Sequence, residues 1–220
     1  MKSVVIIGNG EFPKKDYPRY IIGSADIIIC CDGAIAAFMR HTKEICGYER
    51  EPDLIIGDMD SISSTLANKF KNIALKISEQ ETNDQSKAVK YALENISDIT
   101  DIHIVAATGK REDHTIGNLS LLMEYARQYD LEGRNIKMDL ITDNGIWFAL
   151  TDTTELHVGE GRRISIFSPD NSLKLHSDGL TWPLDNVVFD NWWKATLNKA
   201  NADVIKLTFN HPSMVLINMD

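Results

Sequence analysis

Asp58 and Asp60 stand one residue apart in the run Ile55-Ile56-Gly57-Asp58-Met59-Asp60-Ser61-Ile62. An apolar, strand-like segment at 54–56 precedes them, and residues 61–65 read as a loop entering a helix. In open α/β sheets ligands bind outside the carboxyl ends of the strands, which is where this pair falls. Two carboxylates there either repel each other or share a cation. Mg²⁺, held through one or two carboxylates plus substrate phosphates, is the chemistry that fits. In a regular strand residues two apart share a face, so the spacing predicts that Asp58 and Asp60 converge, with Gly57 allowing a ligand to approach closely. An acidic turn with Ser61 as a helix cap explains the same residues equally well.

Five other segments carry residues that could do chemistry. Glu79-Gln80-Glu81-Thr82-Asn83-Asp84-Gln85-Ser86-Lys87 follows the fourth strand candidate. Its spacing predicts a Thr82/Gln85 capping box, with Asp84 suited to the positive helix N-terminus. Glu79, Glu81 and Asp84 also crowd acid onto the sheet edge that holds Asp58 and Asp60, and a shared cation accounts for so many carboxylates. Thr108-Gly109-Lys110-Arg111-Glu112-Asp113-His114 leaves the fifth strand and enters a helix. Its cationic side chains and free backbone N–H groups suit phosphate, although a basic loop with Asp113 near the cap is the plainer alternative. Asn118 lies one turn on, and Gly117 in mid-helix points to close packing or ligand approach. Gly8-Asn9-Gly10 and Cys31-Asp32-Gly33-Ala34 each follow a strand and bring backbone near a nucleotide; the first lacks the full dinucleotide fingerprint. Trp182, in Ser177-Asp178-Gly179-Leu180-Thr181-Trp182-Pro183, offers a stacking ring or a buried anchor.

The elements that must position these residues change rhythm along the chain. Strand candidates at 4–7, 26–30, 53–56, 73–77, 102–106 and 138–142 alternate with helical patterns, clearest at 85–96 and 114–129. Ala88, Val89, Ala92, Leu93 and Ile96 form one apolar face; Ile116, Leu119, Leu122, Met123 and Ala126 form another, both expected to face a core. Such alternation implies a mostly parallel sheet covered on both faces. From about Gly145, short alternating runs at 155–158, 163–167, 173–176, 204–209 and 214–218 are separated by turn residues. The expected architecture is an α/β N-terminal domain over 1–144 and a C-terminal all-β sandwich domain over 145–220.

Composition narrows the partners. The 220 residues are 43% hydrophobic and 25% charged, ordinary for a globular chain, with a net charge of −9 that argues against a nucleic-acid surface. The adjacent Cys30 and Cys31 with a distant Cys46 form neither a disulfide framework nor a zinc pattern. No apolar run reaches the ~20 residues needed to cross a bilayer. The first residues lack the apolar core and cleavage site of a signal peptide, so a reducing cytoplasm is expected.

In this order, Cys31-Asp32-Gly33-Ala34, Gly57-Asp58-Met59-Asp60-Ser61-Ile62, the stretches 79–87 and 108–114 with Asn118, Gly179-Leu180-Thr181-Trp182 and His211-Pro212 resemble the thiamine pyrophosphokinase family over nearly the whole chain. The resemblance implies transfer of a pyrophosphoryl group from ATP to the thiamine hydroxyl. It also implies a nucleotide-binding first domain, a thiamine-binding second domain, and a homodimer with sites at the subunit interface. It assigns Asp58, Asp60, Asp84 and Glu81 to Mg²⁺, with Asp58, Asp60, Asp84 and Arg111 catalytic. Asp32, Gly33, Lys87, Arg111, Asp113, His114 and Asn118 would bind ATP and its phosphates, and Trp182 the thiamine. Glu79 and Glu81 stand where the family more often has aspartate. Asp32-Gly33-Ala34 lacks a second glycine, and Thr196-Leu197-Asn198 stands where a thiamine-contacting Ser-Asn is expected. Two rivals share the acids: a Mg²⁺-dependent phosphohydrolase with Asp58 as nucleophile and Asp60 as general acid, and a non-catalytic Mg-nucleotide sensor.

Overall fold

Six of the apolar runs become parallel strands in the computed structural model, which describes residues 1–220. They are β1 (Lys2–Ile7), β2 (Ile27–Cys31), β3 (Leu54–Gly57), β4 (Ala74–Lys76), β5 (Ile99–Val105) and β6 (Lys137–Thr142). Their order is β6-β5-β1-β2-β3-β4, and every pairing among them is parallel. Val4, Val5, Ile6 and Ile7 are all fully buried, as a strand covered on both faces requires. The connections carry α1 (Asp16–Ser24), α2 (Ala34–Cys46), α3 (Ser64–Lys69), α4 (Asp84–Asn95) and α5 (Glu112–Gln128).

The chain divides into two compact units, Met1–Asn118 with Glu132–Asp143, and Leu119–Leu131 with Asn144–Asp220. In the first, β2 to β4 extend the sheet on one side of β1 while β5 and β6 lie on the other. Such a reversal opens a crevice at the carboxyl ends of the strands. Gly8 belongs there for an internal reason: a Cβ on it would fall 2.8 Å from the carbonyl oxygen of Ala106, just past β5. Its missing side chain lets β1 leave the sheet flush against the neighbouring strand end.

Two local expectations are corrected. The N-cap of α4 is Asn83, whose side chain accepts from the backbone N–H of Ser86 at 2.9 Å. Thr82 and Gln85 form no capping box, because Thr82 donates its hydroxyl to Glu79 and Gln85 donates its amide to the Asn118 carbonyl. On α5 the apolar stripe is broken at its start: Ile116 is 55% exposed, while Leu122 and Tyr125 are buried. Nor does close packing explain Gly117, since a Cβ there would meet nothing within 4 Å.

The second unit is an antiparallel sandwich. One sheet runs β11 (Ala195–Lys199), β9 (Arg163–Phe167), β13 (Val215–Met219) and β7 (Gly145–Leu150); the other runs β10 (Leu175–Asp178), β12 (Val204–Phe209) and β8 (Thr154–His157). Ile164, Ile166 and Ile217 from the first sheet share one core with Leu175, Ile205 and Leu207 from the second. Inward and outward residues alternate along β9 and β12, which is why those strands were visible in the sequence. Two strands, β7 and β11, were not. The run Gly145–Leu150 is half-buried throughout, and β11 carries a register irregularity with Leu197 at φ 59°.

Candidate active site

The carboxyl ends of β1, β2 and β5 and the first turns of α4 and α5 surround a cavity of about 410 Å³. Asp32 and Asp84 line it, and so do Arg111, His114 and Asn118. Five of the expected residues therefore share one wall-to-wall space. Asp58, Asp60, Glu81, Gly33, Lys87 and Asp113 are not among its lining residues, and Trp182 belongs to the second unit.

Asp32 follows β2 directly and is only 4% exposed. Its φ of 38° is left-handed, a conformation that aspartate tolerates at some cost. Oδ2 accepts a hydrogen bond from the Ser61 backbone at 3.1 Å, whereas Oδ1 is buried without a partner. A carboxylate oxygen buried in this way is expensive, and at a ligand crevice its compensation comes from a bound cation or donor.

Gly57 sits at the end of β3 at φ 155°, where a Cβ would fall 2.8 Å from Asp32 Cβ and 3.1 Å from Asp84 Oδ2. Bare backbone is needed for those two side chains to come together over it. Burial raises the Asp84 carboxyl above its ordinary value; Lys87 opposes this, while the charges of Asp32 and Asp58 add to it. Three carboxylates thus feel one another.

Asp58 and Asp60 do not converge as strand neighbours. Strand β3 stops at Gly57, Met59 turns the chain at φ 68°, and the Asp60 backbone N–H donates to Asp58 Oδ1 at 3.1 Å. That bond is the main influence holding the Asp58 carboxyl below its usual range. Glu79 closes a similar turn, accepting from the backbone N–H groups of Glu81 and Thr82 at 2.8 and 3.1 Å, and Glu81 is exposed. No three His, Cys, Asp or Glu side chains form a ready cage for a metal. The donor set still fits Mg²⁺, which keeps several waters and substrate oxygens and takes few protein carboxylates. The fit rests on the orphaned Asp32 oxygen and on the cradle over Gly57.

The basic loop also differs from its simplest reading. Arg111 is held by Asp113 at 3.0 Å through Nε and 2.5 Å through Nη2, and both side chains are well exposed. The Arg111 guanidinium, with the His114 backbone N–H, pulls the Asp113 carboxyl down to about 2. Asp113 is thus a bracket for Arg111 rather than a wall of the cavity. Lys110, which also lines the cavity, donates to Asn9 Oδ1 at 3.1 Å. Asn118 is a strut: its Oδ1 accepts from Asn83 at 2.9 Å and its Nδ2 donates to the Ala107 carbonyl at 2.7 Å.

The side chains of several lining residues carried no signal of their own. Asn9, in the Gly8-Asn9-Gly10 turn expected to bring backbone near a nucleotide, and Ser61, read as a helix cap, meet beside Asp32 only through the strand order. Cys31, whose thiol burial raises far above its ordinary value, also touches the cavity and stays neutral there. In the second unit Trp182 is 59% exposed beside a depression of about 280 Å³ that includes Leu197 and Asn198. Asn198, 4% exposed, clamps the tryptophan backbone: Oδ1 accepts from Trp182 N at 3.2 Å and Nδ2 donates to Trp182 O at 2.7 Å. Its place in the Thr196-Leu197-Asn198 segment was the available signal.

Comparison with known proteins adds a further finding. The family model described as thiamin pyrophosphokinase, catalytic domain, matches residues 18–132, and that described as thiamin pyrophosphokinase, substrate-binding domain, matches residues 145–216. Thiamine pyrophosphokinase 1 of Arabidopsis thaliana is 30% identical over 209 residues, covering 84% of this chain and 74% of its own. Thiamine pyrophosphokinase 1 of Oryza sativa subsp. japonica is 26% identical over 204 residues, covering 83% and 74%. Among solved structures, thiamin pyrophosphokinase from Candida albicans aligns with a TM-score of 0.76 at 19% identity, over 99% of this chain and 88% of that one. The Bacillus subtilis thiamine pyrophosphokinase aligns with a TM-score of 0.74 at 20% identity, over 99% and 98%. At these identities the structural likeness speaks for the fold.

Proposed function

Because the chain belongs to the thiamin pyrophosphokinase family, we propose that it transfers a pyrophosphoryl group from ATP to the hydroxyl of thiamine, giving thiamine diphosphate and AMP. The observation that carries this reading onto this chain's own residues is one cavity lined by buried acid and exposed base, with the unpartnered oxygen of Asp32 inside it.

The thiamine hydroxyl oxygen attacks the β-phosphorus, the bond from that phosphorus to the bridging oxygen breaks, and AMP leaves with the bridging oxygen. Charge spreads over phosphate oxygens during this exchange, so positioning and electrostatic stabilisation carry the catalysis. Arg111, bracketed by Asp113, meets the transferred group; Lys110 and His114 flank the polyphosphate. Asp32 and Gly33 border the nucleotide, and Asn118 holds the first turns of α4 and α5 in register around it. One of the site aspartates takes the hydroxyl proton. Asp58, Asp60 and Asp84 would hold Mg²⁺ directly or through water, with Glu81 on the preceding turn. When bound, the metal neutralises and orients the polyphosphate.

Thiamine packs near Trp182, and two copies of the chain share each site in a homodimer acting in the cytoplasm. The exposure of Trp182 beside its depression supports a partner for that ring. No helix is long and apolar enough to cross a membrane. The phosphohydrolase rival is not favoured, because the family match covers both units.

Incubation with ATP, Mg²⁺ and thiamine, followed by product analysis, tests the reaction. AMP and thiamine diphosphate formed only when thiamine is present are the expected result. Phosphate release without thiamine would favour a hydrolase, and tight nucleotide binding without products a sensor.

A further inference from the structure

Lys87 lies in the first turns of α4 and its side chain is only 4% exposed. The resemblance assigns it to ATP phosphates, yet it is not among the residues lining the cavity. Its Nζ donates to the Ile77 carbonyl at 3.3 Å and to Asp84 Oδ1 at 3.3 Å. A lysine that grips phosphate presents its ammonium to the cavity; this ammonium is turned to a backbone carbonyl and a carboxylate. The acids of this edge are otherwise like charges crowded over Gly57, where Asp32 and Asp84 approach a common point. A buried ammonium is tolerated only when paired, and a crowded carboxylate edge folds only when compensated.

We infer that Lys87 is a positioning residue and not a phosphate ligand: it is the internal counter-ion that fixes the Asp84 carboxylate over Gly57, beside Asp32, before any metal binds. The inference rests on the cation reading of those acids, and on no step of the transfer reaction. A metal arriving at this edge meets carboxylates already placed, with part of their mutual repulsion already cancelled.

Thermal unfolding of the full chain, in chelator and in Mg²⁺ alone, tests this with Lys87→Met, Asp84→Asn and the double variant. Lys87→Met should lower the midpoint in chelator by about 10 °C, because it strands a partly buried carboxylate. Adding Asp84→Asn should recover at least half of that loss. Mg²⁺ alone should raise the midpoint of Lys87→Met more than that of the wild type, since the metal replaces the missing charge. Should Lys87→Met fail to fold, the double variant and Asp84→Asn should still melt within a few degrees of each other. A Lys87→Met protein with the wild-type midpoint and a raised KM for ATP would make Lys87 a phosphate ligand and overturn the inference. So would a double variant no more stable than Lys87→Met, or an equal Mg²⁺ shift in both proteins, since either marks a lysine that only fills space. Absence of thiamine diphosphate synthesis alongside the expected unfolding results would refute the proposed reaction and leave the role of Lys87 standing.

Discussion

Asp32 carries three unfavourable features at once: it is buried, left-handed at φ 38°, and has one oxygen without a donor. Groups kept in such a state are maintained for a ligand, and their neutralisation trades function for stability. Asp32→Asn should therefore leave the thermal midpoint unchanged or raise it by a few degrees, because the amide removes a buried charge and keeps an acceptor for Ser61. Synthesis of thiamine diphosphate by the same variant should fall by about 100-fold or more, the scale at which a preorganised electrostatic group is lost. Calorimetry and a product assay on one preparation would decide this. A destabilised variant with near-normal turnover would make Asp32 a folding residue only. Residue identity pointed to acids at 32, 58 and 84. It could not rank them, because rank depends on which oxygen is left without a donor after folding.

At the scale of elements, turns do more than join strands. Between β9 and β10, Asp170 accepts from Ser172 N and Oγ at 2.9 and 2.6 Å through Oδ1, and from Ser213 Oγ at 2.8 Å through Oδ2. His211 Nε2 lies 3.7 Å away, so the His211-Pro212 segment is tied to this turn. The hydroxyls of Ser172 and Ser213, more than His211, pull the Asp170 carboxyl down to about 2 from an ordinary 3.8. A carboxyl depressed in the folded state contributes stability that is complete above its unfolded value and lost as pH falls through the folded one. Wild type should accordingly lead Asp170→Asn in stability at neutral pH, with the gap closing between about pH 4 and pH 2. Denaturant unfolding at a series of pH values reads this directly, and a gap independent of pH would refute it. The same scale explains what the sequence hid: β7 lacks alternation because it is half-buried throughout, and β11 loses its alternation to the irregularity at Leu197. The convergence of Asp58 and Asp60 expected from strand spacing fails because β3 stops at Gly57 and Met59 turns the chain in a left-handed conformation.

At the scale of the whole molecule, the proposed shared site in a homodimer has a consequence that no single chain shows. Asp84→Asn and Trp182→Ala alter opposite ends of one proposed site, in different units of the chain. Each variant alone should be nearly inactive. Refolded together at equal amounts, half of the dimers would be mixed, and each mixed dimer would hold one intact site, restoring about a quarter of wild-type activity. No recovery on mixing would mean that each site lies within one chain.

Type and order were legible along the chain: apolar runs alternating with helical patterns imply buried strands of a parallel sheet, alternating runs after Gly145 imply strands with one face on a core, and the ordered motifs carry the family. Periodicity and composition are local, so they survive being read along a line. Which polar atoms face the cavity was settled by folding. Strand order brings Asn9, Ser61 and Asp32 together from three separate connections and spends Asn118 on Asn83. Those outcomes depend on hydrogen bonds and burial between segments far apart in the chain, and such pairings exist only after the sheet has closed the distance.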